Sequence, residues 1–128
     1  YEQKDAALAE TIDWLSSEKG MLAEMGVKYL ISNASETPHQ INNSYTEIIW
    51  TLENLVEAVR QYLLADEDDF LFYVEKLGIE DSYMPYALEG VKYIASRVNR
   101  QRFPKDVLRD IEFAFNEIIE CLVYSEHA

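Results

Sequence analysis

At 128 residues the chain has the length of one domain. Its 48% apolar content suffices for a packed core and is too high for disorder, despite a formal charge of −13. That charge argues against nucleic-acid binding, which needs a basic face, and against docking on anionic lipid, leaving basic proteins and neutral ligands as partners.

The first segment, about Lys4 to Ser32, repeats Leu8, Ile12, Leu15, Leu22, Met25 and Tyr29 at three-, four- and seven-residue steps, as one face of a helix requires. Gly20 and Gly26 each weaken a continuous helix by about 1 kcal/mol relative to alanine, so one bent helix and two helices both fit. Asn33 to Asn42 is polar, carries Pro38 and reads as a loop. Asn43 or Ser44 then caps a long helix with the stripe Tyr45, Ile48, Ile49, Leu52, Leu55, Val56, Val59, Tyr62 and Leu63. Glu47, Glu53, Glu57 and Arg60 lie largely off that stripe.

Asp66-Glu67-Asp68-Asp69 lacks the alternating ligands and central glycine of a calcium loop. Its charge instead suits the N-terminus of a short helix over Phe70-Leu71-Phe72-Tyr73-Val74, ending at Leu77 with Gly78 as left-handed cap. Asp81-Ser82 begins the next helix, with Pro85 in its first turn. Its buried side is Met84, Leu88, Val91, Ala95 and Val98, with Ala87 and Ile94 beside them. Asn99-Arg100-Gln101-Arg102 is a polar turn. Pro104 opens the last helix, with the stripe Val107, Ile111, Ala114, Phe115, Ile118, Ile119 and Leu122. No strand pattern occurs, and the expectation is an all-α, globin-like bundle of five to six helices in a single domain over residues 1–128.

Chemistry is sparse. The single Cys121 rules out an internal disulfide and a thiolate metal cage; its helical spacing among Ile118, Leu122 and Val123 predicts a reduced, buried core thiol. His39 follows Pro38 in a polar loop and His127 is next to the last residue, so both are expected to be solvated. No histidine between them can grip a haem or a metal. Hydrolase, zinc-helix and phosphate-loop signatures are absent. Glu117, Glu120 and Glu126 lack the histidine partners of a di-metal bundle site, which leaves a di-metal enzyme the weakest reading. The expectation is no enzyme, no metal and no haem.

Lys92, Arg97, Arg100, Arg102, Lys105 and Arg109 gather around one helix–helix turn. They complement the negative end of the preceding helix dipole, or they build a carboxylate or halide site at the next helix N-terminus. Nine tyrosines, among them Tyr45, Tyr62, Tyr73, Tyr83, Tyr86 and Tyr93 on predicted helices, suit an amphipathic cavity whose rim satisfies their hydroxyls. No apolar run approaches the roughly 20 residues of a membrane span. Tyr1-Glu2-Gln3-Lys4-Asp5 carries no signal-peptide pattern, and Tyr1 suggests that the true N-terminus lies upstream. A cytoplasmic location is expected.

The succession of long capped helix, acidic break, short helix, Gly-terminated turn, long helix, basic turn and final helix resembles the non-haem globin sensor domains of bacilli. These are the N-terminal domains of stressosome RsbR proteins and the sensor domains of sporulation kinases. Tyr73-Val74-Glu75-Lys76-Leu77-Gly78-Ile79 through Met84-Pro85-Tyr86-Ala87-Leu88 is similar to the RsbR stretch entering the penultimate helix. Phe103-Pro104-Lys105 to Cys121-Leu122 resembles the final helix that leads into an effector domain. The likeness spans about Ser44 to Glu126 and is a pattern of elements rather than a signature. Phycobiliproteins share a related helix order, but this chain has no cysteine placed for a bilin and is too short.

The resemblance implies a haem-less globin fold, a homodimer, and a fatty acid in the cavity that haem would fill, with a halide ion nearby. A stand-alone member is implied to compete for the signal or partner of a full histidine kinase and so to restrain sporulation. No family motif fixes ligand residues. Apolar faces alone nominate Tyr45, Ile49, Leu52, Tyr73, Met84, Leu88, Ile111 and Phe115 as lining, and cation placement nominates Arg97 and Arg100 for the carboxylate. The rival reading is an acidic immunity or antitoxin protein, steered by its charge onto a basic toxin or nuclease.

Overall fold

The computed structural model describes residues 2–33, 45–65, 75–79, 83–101 and 103–127. Four helices carry these residues: α1 (Glu2–Asn33), α2 (Tyr45–Ala65), α3 (Met84–Val98) and α4 (Lys105–His127). A further helical turn ends at Leu77, and no strand occurs among the described residues. The protein is an all-α bundle. The expected caps at Asn43 or Ser44, the acidic helix start at 66–69 and the Asp81-Ser82 start lie outside the described residues.

Residues 2–33 form one helix rather than two, about 48 Å long at 1.5 Å per residue. Its buried face is broader than the predicted stripe. Ile12, Leu15 and Leu22 are buried as expected, while Thr11, Ala23, Val27 and Leu30 join them and Met25 and Tyr29 fall to the half-buried flank. Burying Thr11 costs little, because its hydroxyl donates to the Ala7 carbonyl oxygen at 2.8 Å.

Along α2, Ile48, Leu52, Leu55, Val56, Val59 and Leu63 are buried, with Tyr45, Ile49 and Tyr62 packed half-exposed against them. The predicted inner side of α3 is buried throughout, and Gly90 joins it. Tyr83 stands at the N-cap of α3 without a side-chain cap, and Pro85 sits in the first turn, where its missing N–H is no loss. Gly78 adopts φ 62°, the left-handed conformation that only glycine takes cheaply, and its N–H donates to the Glu75 carbonyl at 3.1 Å. The turn after α3 closes through Arg100 N–H to Arg97 O and Gln101 N–H to Val98 O, at 3.2 and 3.0 Å. In α4, Val107, Ile111, Ala114, Phe115, Ile118 and Leu122 are buried; Ile119 is half-buried.

Each of the four helices touches the other three. Where α2 meets α1 and α3, two helical glycines face one leucine. Leu52 of α2 is fully buried, with its methyl carbons against Gly26 of α1 and Gly90 of α3. A Cβ built at Gly26 would stand 3.0 Å from Leu52 Cδ1, and one at Gly90 would stand 2.9 Å from Leu52 Cδ2. Ordinary carbon contacts lie at about 3.5–4.0 Å, so glycine at both sites lets α2 approach α1 and α3 more closely than any side chain allows. Both glycines therefore serve packing. Gly20, with nothing near it, does not.

Candidate functional site

The first turns of α2 form one wall of a surface hollow. Tyr45 begins the helix, and the 3.6-residue period then places Ile48 and Leu52 inward and Thr46, Glu47 and Trp50 outward. Opposite them stand the turn Leu77-Gly78-Ile79 and Tyr83, which together with Thr51 complete a groove of about 430 Å3. Trp50 is 52% exposed at its edge. Thr51 is nearly buried, and its hydroxyl proton goes to the Glu47 carbonyl oxygen at 2.8 Å. A smaller hollow of about 330 Å3 lies between α1 and α3, over Tyr29 and Tyr93. Those rings stack at 4.2 Å and 17°, and Met25, Lys28 and Ser32 edge the hollow.

The nominated lining residues fall into two groups. Leu52, Met84, Leu88, Ile111 and Phe115 are buried in the shared core, and Leu52 is spent on the two glycines. Tyr45 and Ile49 lie half-buried on the first turns of α2, outside the groove's lining, whose helical wall is Thr46, Glu47, Trp50 and Thr51. Tyr73 lies outside the described residues, as does Arg102. Arg97 is half-buried in the last turn of α3 and Arg100 is exposed in the turn beyond it. Thirteen positions separate Met84 from Arg97, which is about 20 Å along the helix. A single ligand reaching both groups must therefore be extended along α3.

The strongest electrostatic feature lies elsewhere. Glu57 accepts Arg60 Nη2 at 2.6 Å, Gln61 Nε2 at 2.9 Å and Lys19 Nζ at 3.2 Å, which ties α2 to α1. Hydrogen bonding from Arg60, helped by Gln61 and Lys19 and opposed by partial burial, lowers the Glu57 carboxyl to about 2. The same pairing raises Arg60, with Asp13 adding to the field. This cluster is fully partnered and binds helix to helix. The Cys121 thiol is half-buried, not the core thiol expected, because it sits beside the α4 stripe rather than on it. Among the described residues no group of three or more His, Cys, Asp or Glu is placed to hold a metal ion.

Sequence reasoning passed over Trp50 because it lies off the α2 stripe. A tryptophan on the polar side of an otherwise clean amphipathic helix was itself the signal. Phe113 on α4, at 50% exposure, is a second such residue, with its ring 6.1 Å from that of Tyr62. Comparison with protein-family models, with curated proteins and with solved structures gave no match to this chain.

Proposed function

We propose that this chain is a non-catalytic, globin-like sensing module that takes a lipid-like molecule, a fatty acid, beside α2 and α3. In this reading the bundle forms a homodimer and acts in the cytoplasm on a histidine kinase or related signalling protein, by competing for its signal or its partner. The resemblance to non-haem globin sensors of bacilli supplies the biological setting. One observation carries the physical part: at the start of α2, Tyr45 and Ile49 pack against the core yet stay half-exposed, an apolar margin that the bundle itself does not cover.

An acyl chain entering at that margin would have to open the packed core at Met84 and Leu88 to reach Ile111 and Phe115, all of which are buried. Each methylene removed from water contributes about 0.8 kcal/mol, so binding needs no polar chemistry along the tail. The carboxylate would meet Arg97 or Arg100, some 20 Å away along α3, a distance that an extended long-chain fatty acid matches. Titration of palmitate into methyl-labelled protein tests this. Saturable shifts at Met84 and Leu88 are expected, with Leu30 on α1 unaffected; no shift at any of these methyls refutes the reading.

A further inference from the structure

We infer that the groove beside Trp50 binds a small quaternary ammonium cation of the choline type, present as a free solute. This is a different ligand, at a different place, from the acyl chain, and it stands on the groove alone.

The chemistry of the walls is one-sided. Trp50 and Tyr83 bring two aromatic residues to the lining from separate elements, α2 and the residue before α3. Glu47 stands three positions before Trp50, which puts its carboxylate on the same side of α2. Thr51 has already given its hydroxyl proton to the Glu47 carbonyl, so toward the groove it presents lone pairs. Ile79 supplies an apolar wall, and among the described residues no lysine or arginine lines the groove. Lys76 is exposed one residue away from the wall without joining it.

Aromatic residues, acceptors, an apolar wall and one carboxylate suit a cation whose charge is spread over methyl groups. Such a cation is weakly hydrated and is held by ring quadrupoles, most strongly by tryptophan. An anion would meet Glu47 and a chain charged −13, whereas a cation is concentrated by that field. A bare metal ion would need several more oxygen ligands than this groove supplies. The partial positive charge at the start of α2 opposes any cation, and Glu47, within that first turn, offsets it. A choline lipid would bring its phosphate against Glu47, which favours the free solute.

The chain contains two tryptophans, and Trp14 is turned edge-on to Phe103 at 5.4 Å, remote from the groove's lining. Choline titrated into the nitrogen-labelled full chain should therefore shift the Trp50 indole resonance to saturation, with a Kd on the order of 1 mM, and leave Trp14 in place. The neutral isostere 3,3-dimethyl-1-butanol should bind about tenfold more weakly, and Glu47→Gln and Trp50→Leu should each weaken choline about 3- to 30-fold. Both substitutions are at exposed positions, and unchanged far-UV circular dichroism shows that each variant folds. Equal binding of the isostere, shifts at Trp14 instead, or no saturation overturns the inference. Co-flotation of the protein with phosphatidylcholine vesicles overturns the assignment to a free solute.

Discussion

Replacing Gly90 by alanine tests the packing at the centre of the bundle. In an exposed helix the change stabilises, by about 1 kcal/mol of helix propensity, and Gly20, with nothing within 4 Å, is the site that should show it. At Gly90 the same methyl group meets Leu52 Cδ2 at 2.9 Å and Cδ1 at 3.0 Å. Leu52 cannot turn away, because it is fully buried and its Cδ1 already lies against Gly26. Overpacking of this kind costs about 1–3 kcal/mol. The propensity term is common to both variants and cancels in their difference, so Gly20→Ala should exceed Gly90→Ala in stability by about 1–3 kcal/mol. Urea unfolding followed by far-UV circular dichroism measures it. Adding Leu52→Ala, itself expected to cost about 2–5 kcal/mol, should make Gly90→Ala nearly neutral or stabilising, since the space it needs is then open. Equal stability of the Gly20 and Gly90 variants would refute the argument.

Glu57→Gln should lose about 1–2 kcal/mol at neutral pH, after allowing for the solvent that screens a partly exposed network. Because the folded carboxyl is lowered to about 2, its contribution is fully present above the ordinary value of 4.5 and fades as pH falls through the folded value. Stability of the variant and the parent should therefore converge in acid, and a gap that widens there would contradict the assignment. Acrylamide should quench the exposed Trp50 efficiently and Trp14 poorly, so Trp50→Phe should remove most of the quenchable emission; strong residual quenching would place Trp14 in solvent instead. Cys121, half-buried beside the α4 stripe, should react with a thiol reagent in the folded protein more slowly than in urea but measurably; complete protection would return it to the core.

The helices were legible because burial is periodic. On α3 the predicted inner residues all proved buried, and on α2 and α4 only flanking positions such as Ile49, Tyr62 and Ile119 stayed partly exposed. On α1 the stripe held through Leu22 and then strayed by part of a turn, at Met25 and Tyr29. Small residues there, Ala23 and Gly26, mark the contact face, and a search for large apolar side chains does not see them. Whether Gly20 and Gly26 broke that helix depended on tertiary contacts, since Leu52 and Ile94 close over Gly26 and outweigh its propensity cost. The groove was hidden for another reason. It joins Trp50 to Ile79 and Tyr83 across about 30 positions of sequence, and no local pattern reports such a meeting.

Native mass spectrometry of the protein as purified, before and after organic extraction, tests the sensing reading most directly. The account predicts one copy of a fatty acid per chain, lost on extraction and regained when palmitate is added back. A chain of bare polypeptide mass in both samples, still folded and taking up no palmitate, would contradict it.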